Sequence, residues 1–226
     1  STLSSSSAAS DVYKRQGLTS ARLPRILASL HPGYRVKKTL NSFLEKKHSV
    51  CSVNSVANRI CMLTTENASL LAFNTFRVDA RARYMLTLET PEDIPAFLSD
   101  ERFHGLPRLI LGGGSNILLR EDFPGVVLHV AFKGFELLGE DDASRYLAVA
   151  AGENWHELVR TTVEQCWPGL ENLSLIPGTV GAAPVQNIGA YGVEFAELCH
   201  AVDVVDMHTG KTGVIAAEDC RFAYRD

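Results

Sequence analysis

Apolar and polar positions take on a regular rhythm from Phe73 onward. "RYMLTL" (83–88) reads as a strand, and "ETPEDIPAFLSD" follows it as a helix. Thr90 is placed to cap that helix, Pro91 suits its first position, and Asp93 stands where a capping-box acid belongs. Ile94, Phe97 and Leu98 mark its buried face. "RLIL" (108–111) and "GVVLHV" (125–130) predict two buried strands around a glycine-rich loop and a "REDFPG" turn.

The pattern then repeats in kind, though not in sequence. "YLAVAAG" (146–152) is strand-like, and Asn154 with Glu157 forms a second capping pattern. Trp155, Leu158, Val159, Thr162, Val163 and Cys166 share one helical face, which predicts a helix with a single buried stripe. "AVDVVDM" and "KTGVIA" flank "HTGK", a hairpin pattern. Interleaved strands and helices with few long βαβ repeats predict an α+β fold.

The first part of the chain lacks such rhythm. Residues 1–16 are serine-rich and end in "DVYKRQ", which resembles linker sequence; 17–66 are basic, with scattered apolar residues. Residues 1–66 hold ten Lys and Arg against three Asp and Glu, a balance of +7. Residues 67–226 hold twelve against twenty-three, a balance of −11. The expectation is an extraneous or disordered leader over 1–66, with an organellar transit peptide as the alternative. A folded part then divides at 67–137 and 138–226.

Composition narrows the function classes. The 226 residues are 46% hydrophobic and 21% charged, ordinary for a globular protein with a real core. A net charge of −4 gives no reason to expect nucleic acid. No apolar run reaches the roughly 18 residues of a membrane span. The five cysteines (51, 61, 166, 199 and 220) are odd in number and form no CxxC pair, and no histidine has HExxH spacing. No metal is expected, and a reducing compartment suits the thiols.

Chemistry concentrates in two glycine-rich stretches. "LILGGGSNILL" (109–119) is not a dinucleotide fingerprint, because Ile117 stands where the last glycine of GxGxxG belongs and no amphipathic helix follows. "GKT" (210–212) is not a phosphate loop, because Val205 replaces its earlier glycine. A strand–GGGSN–strand loop remains, whose amides suit an anion nest, with a plain chain reversal as the competing reading. "PGLENLSLIPGTVGAAPVQNIGAYG" (168–192) holds five glycines and few charges. It reads as a wall around a large, flat, partly apolar ligand, or as an irregular core segment.

"NTF" (74–76), "LILGGGSNILL", "AAGENWH" (150–156), "GLENLSLIPGTVGAAPVQNIGAYGVE" (169–194) and "CRFAYRD" (220–226) occur together in one order. In that order and spacing the chain resembles the UDP-N-acetylenolpyruvoylglucosamine reductase (UDP-N-acetylmuramate dehydrogenase) family over roughly two thirds of its length, from about Phe73 to the last residue. The resemblance implies an FAD-binding fold of the vanillyl-alcohol-oxidase type, two small α+β subdomains, and a bacterial, cytoplasmic flavoprotein of peptidoglycan precursor synthesis. It implies FAD as cofactor, NADPH as co-substrate and a UDP-sugar enolpyruvyl ether as substrate, with no obligate protein partner evident.

Carried onto this sequence, the resemblance implies that Gly112, Gly113, Gly114, Ser115 and Asn116 hold the FAD pyrophosphate. Pro177, Gly178, Gly181, Ala182, Gln186, Asn187, Gly189 and Ala190 would surround the rest of the cofactor. Arg225 would be catalytic, its permanent charge and forked donors suited to an enolate-like carboxylate. Arg225 and Tyr191 would face the substrate, while Trp155 and His156 are expected to be structural. The family's proton-donating serine and assisting glutamate belong to a C-terminal substrate domain expected to be absent here, so the chain is expected to show little reductase turnover. A non-catalytic FAD-binding module and another oxidoreductase on the same flavin fold are the alternatives.

Overall fold

The computed structural model describes residues 63–223, together with the backbone of one strand, β1 (Arg25–Ser29). Two sheets organise the described residues. The first is built from β2 (Thr64–Ser69), β3 (Arg81–Leu88), β4 (Arg108–Leu111) and β5 (Phe123–Val130), in the order β2-β3-β5-β4. β2 lies antiparallel to β3, whereas β3, β5 and β4 run parallel. Parallel strands need a crossover. Helix α1 (Asp93–Ser99) supplies one, and the GGGSN segment lies on the other, from β4 to β5. β4 is therefore an edge strand, and its carboxyl end opens directly onto Gly112.

The second sheet is antiparallel, in the order β11-β10-β1-β7-β6. It comprises β6 (Phe135–Glu140), β7 (Arg145–Val149), β10 (Cys199–Val205), β11 (Thr212–Ala216) and β1. The expected hairpin at "HTGK" is present, with Val205 opposite Thr212 and the Asp206 carboxylate accepting from the His208 and Thr209 amides. Helix α2 (Trp155–Glu164) and the short helix α3 (Phe195–Leu198) pack against this sheet.

Several expectations need correction. The segment expected as leader contributes β1, paired on both sides, and Thr64–Glu66 open β2. "RILAS" is too short to declare itself, because its partners lie far along the chain. The change of sheet falls between Val130 and Phe135 rather than at 137/138, since β6 already belongs to the second sheet. Helix α1 begins at Asp93, and the Thr90 hydroxyl caps nothing. The Asp93 carboxylate nevertheless accepts from the Glu89 and Thr90 amides, 2.8 Å each, the acid's half of a capping box. The α2 stripe is shorter than expected: Trp155, Leu158, Val159 and Thr162 are buried, but Val163 is 52% exposed. Cys166 is exposed as well, beyond the end of the helix.

Three apolar clusters fill the interior. One lies on the outer face of the first sheet around Leu109, Leu111 and Val127. Another lies beneath α2 around Trp155, Leu173 and Phe195. The third joins the sheets, packing Leu86, Ile94, Phe97 and Leu128 against Ala150, Ala151, Val205 and Met207.

Candidate flavin site

The site begins where β4 ends. Gly114 has φ +62°, and a Cβ there would lie 1.9 Å from the Phe73 carbonyl oxygen. Only glycine satisfies both constraints. The Phe73 side of this contact is itself fixed. Asn74 is buried; its amide donates to the Leu70 and Val78 carbonyls at 2.7 and 3.0 Å, and its carbonyl accepts from the Val78 amide at 2.9 Å. Thr75 then donates its amide to the Gly114 carbonyl. "NTF" is thus the clamp that shapes the glycine loop.

The second glycine-rich stretch meets the first at close range. The Ser115 hydroxyl donates to the Pro177 carbonyl at 3.1 Å. A Cβ on Gly113 would lie 3.3 Å from the Gly178 Cα, and one on Gly112 would lie 2.5 Å from the Thr179 hydroxyl oxygen. Behind it, Gly178 accepts from the Trp155 amide, Val180 donates to Glu153 and Gly181 donates to Ala151. Backbone contacts of this kind explain the glycines without reference to a ligand. The sequence pattern alone therefore cannot separate packing from binding.

Hydrogen bonding separates them. The amides of Gly113, Gly114, Ser115 and Asn116 donate to no acceptor among the described residues, and Gly114 is buried. Buried backbone donors are ordinarily paired, so the free buried amide of Gly114 marks an absent acceptor, and the exposed or half-buried amides of Gly113, Ser115 and Asn116 lie open beside it. The Asn116 and Gln186 side chains make no hydrogen bond among the described residues either. All of these residues line one cleft. Its walls are apolar (Ile110, Leu128, Val130, Ala182, Ile188 and Met207), and Arg108 is the charged residue along the described lining. Free amides at one end and an extended apolar trough suit a diphosphate carrying a large flat group.

The expected residues divide between two concavities. Gly112 to Asn116, Pro177, Gly181, Ala182 and Gln186 line the cleft, with Gly178 directly behind Gly113. Asn187, Gly189, Ala190 and Tyr191 line a neighbouring hollow, which Gln186 shares. The Asn187 side chain is committed internally, donating to Glu194 at 2.6 Å and accepting from the Ala196 amide at 2.9 Å. Tyr191 is 87% exposed at the tip of the β8 (Gly189–Ala190) and β9 (Val193–Glu194) hairpin. It has φ +54° and Gly192 φ +82°, as that tight turn requires. Arg225 lies outside the described residues.

Trp155, which also lines the cleft, and His156 both engage the 173–175 segment. The Trp155 indole donates to the Leu173 carbonyl at 2.8 Å, and His156 Nδ1 lies 3.3 Å from the Leu175 amide. Sequence reasoning missed Arg108, Thr179 and Thr75. "NTF" and "PGTVG" carried the threonines in plain view, but their roles depend on loops that meet only in the fold. Beneath the loop, His129 packs edge-on against Phe73 with centroids 5.0 Å apart. Burial, and then the charge of Lys133, hold its imidazole below the ordinary value. Among the described residues no cluster of His, Cys, Asp and Glu has a metal-binding arrangement, and no helix is long and apolar enough to cross a membrane.

Comparison with known proteins agrees with this geometry. The UDP-N-acetylenolpyruvoylglucosamine reductase of Paraburkholderia phymatum is 54% identical over 153 residues, which is 68% of this chain and 44% of that protein. The enzyme of the same name from Azoarcus sp. is 51% identical over 166 residues, 72% of this chain and 48% of the relative. The chain thus spans about half the length of the curated relatives it matches. The crystal structure of UDP-N-acetylenolpyruvylglucosamine reductase from Thermus caldophilus superposes with a TM-score of 0.55 at 29% identity, covering 73% of this chain and 55% of that one. The model of the FAD binding domain family matches residues 82–215, more than half of the sequence, and the chain belongs to that family.

Proposed function

We propose that this chain provides the FAD site of a UDP-N-acetylenolpyruvoylglucosamine reductase. Bound FAD would supply hydride-transfer chemistry between NADPH and the enolpyruvyl ether of a UDP-sugar, for an overall conversion to UDP-N-acetylmuramate. The observation that carries the reading is the run of free amides from Gly113 to Asn116 at the carboxyl end of β4, inside a cleft closed by Pro177 to Gln186. Bound there, the flavin would supply a reversible hydride carrier. The chain's own residues would do the rest.

Gly112, Gly113, Gly114, Ser115 and Asn116 would donate to the pyrophosphate, their dipoles fixed in advance by the Asn74 clamp. Pro177, Gly178, Gly181, Ala182 and Gln186 would form the opposite wall and exclude water from the flavin. Asn187, Gly189 and Ala190 would hold the shape of the adjoining hollow, from which Tyr191 extends toward the substrate side. Arg225 would bind the substrate carboxylate and oppose the negative charge that develops as hydride arrives. Carboxyl ends of parallel strands are where open sheets ordinarily bind their ligands, which supports the same placement.

The direct test is an anaerobic visible spectrum of the purified chain with FAD, before and after NADPH. A structured flavin band that bleaches on NADPH supports both the cofactor site and the reductant. A protein that leaves added FAD with its free-solution spectrum overturns the reading.

A further inference from the structure

Two thiols meet at the open end of the last hairpin. Strands β10 and β11 pair from Val205 opposite Thr212 to Ala201 opposite Ala216, and β11 is the edge of its sheet among the described residues. Cys199 stands two residues beyond Ala201 on one strand. On the other, the chain turns through Ala217–Asp219 just beyond Ala216, and the Cys220 amide donates back to the Ala216 and Ala217 carbonyls at 3.1 and 3.2 Å. The turn folds Cys220 over the strand it has left, with its Sγ 4.0 Å from the Ile215 carbonyl oxygen.

The face on which Cys199 lies is set by a bulge. Leu27 and Ala28, consecutive in β1, stand opposite Ala201 and Cys199, so β10 carries one extra residue there. Regular alternation would put Cys199 and Val202 on opposite faces, yet both belong to the buried cluster beneath α2. Cys220 packs against the same cluster, as does Phe222, whose ring meets Phe195 edge-on at 5.7 Å. Cys199 is buried and Cys220 half-buried, so the pair has one inner thiol and one that solvent reaches. Burial, and then the neighbouring Cys220, push the Cys199 thiol up to about 12. Matching ends of paired strands lie at the separation that a disulfide spans.

We propose that Cys199 and Cys220 form a disulfide under oxidising load, which staples the open end of the β10–β11 hairpin. The oxidant is a small-molecule disulfide of the glutathione type. The Cys220 thiolate attacks one of its sulfurs and releases one small thiol, leaving a mixed disulfide. The Cys199 thiolate then attacks Cys220 Sγ, forming the protein S–S bond and expelling the second small thiol. Two electrons pass from the cysteine pair to the oxidant, and the two protein thiol protons end on the two released thiols. Because the buried thiol is the second to react, closure is slow at neutral pH and quickens as pH rises.

The staple acts on a weakly held element. Thr212, Gly213 and Val214 of β11 are exposed, and an edge strand with so little buried surface opens locally at small cost. A bond across about twenty residues of chain removes much of that freedom. It also anchors the start of the segment that leads to Arg225, five residues beyond Cys220.

The test oxidises the full chain with glutathione disulfide at about pH 8.5, maps linked peptides by mass spectrometry, and follows amide hydrogen exchange. A Cys199–Cys220 linked peptide is expected, with exchange over residues 212–222 slowed at least about tenfold, β3 and β5 unchanged, and full reversal by dithiothreitol. Cys220→Ser, on the half-buried turn, and Cys199→Ala, which keeps the inner site apolar, are each expected to lose both the bridge and the slowing. Cys220 linked instead to the exposed Cys166, or cysteines carrying only glutathione, would overturn the pairing. A bridge that leaves exchange over 212–222 unmoved would overturn the staple, as would slowed exchange in oxidised Cys220→Ser.

Discussion

A methyl group on Gly114 would meet the Phe73 carbonyl oxygen at 1.9 Å, on backbone already at φ +62°. Gly113 is exposed, and its nearest obstacle is the Gly178 Cα at 3.3 Å. Alanine at the two positions therefore separates folding from binding. Gly114→Ala is expected to cost about 3 kcal/mol or more in urea unfolding, from strain and a displaced backbone together. Gly113→Ala is expected to cost under about 1 kcal/mol yet weaken FAD about tenfold, because the added methyl group stands between the loop and the Gly178 backbone of the opposite wall. Unchanged FAD affinity in Gly113→Ala would reduce the loop to a turn.

Histidine gives the same scale a pH dependence. Burial lowers the pKa of both His129 and His200 from the ordinary 6.5, so each is more easily protonated in the unfolded chain than in the folded one. The unfolded state then binds more protons below that value, and stability falls as pH drops through and below 6.5. Above it the two residues contribute no slope. Replacing both with glutamine is expected to flatten the acid side of the stability curve, measured as urea midpoints from about pH 7.5 down to about pH 5. An unchanged slope would place the acid sensitivity elsewhere.

At the scale of elements, the start of α1 shows what local sequence conveys and what it does not. Thr90 and Asp93 both read as capping residues, but only Asp93 makes the bonds, with two amides at 2.8 Å. Thr90→Ala is accordingly expected to change the thermal midpoint little, within about 0.5 kcal/mol. Asp93→Ala is expected to cost about 1–2 kcal/mol, because Glu89 and Thr90 lose their acceptor. Comparable losses for both would restore the threonine as the cap. Helix α2 was fully legible at its start, where the Asn154 side chain accepts from the Glu157 amide at 3.1 Å, because a cap is a contact three residues long. Its stripe was over-read at Val163 and Cys166, where Cys166 turns the chain away at φ +57°. Strand β1 was not legible at all. Its place between β7 and β10 is fixed by residues distant in sequence, and the short "RILAS" carries no alternation strong enough to predict it. The glycine stretches pointed to the right cleft, but could not apportion residues between it and the neighbouring hollow. That division depends on how the 177–191 segment folds over itself.

At the scale of the molecule, the question is whether two sheets make one cooperative unit. Leu86, Ile94, Phe97 and Leu128 of the first share a buried cluster with Ala150, Ala151, Val205 and Met207 of the second. The Arg108 guanidinium also reaches across to the Met207 carbonyl at 2.8 Å. Neither sheet retains its interior if the other unfolds, since this cluster would open to water on both. The chain supplies its own probes for a test: both tryptophans, Trp155 and Trp167, lie with the second sheet, whereas far-ultraviolet circular dichroism reports both sheets. The two signals are expected to give one superimposable urea transition. Separate midpoints would mean that the cleft lies between independently folding units. The flavin reading adds a sharper expectation, because the proposed ligand touches the GGGSN loop of the first sheet and the Pro177–Gln186 wall of the second. FAD at a hundred times its dissociation constant is expected to raise the stability seen by both probes by about 2.7 kcal/mol, moving the two curves together. A shift confined to the dichroism, with tryptophan fluorescence unmoved, would show that only the loop side holds the cofactor and that the second glycine stretch is core rather than wall.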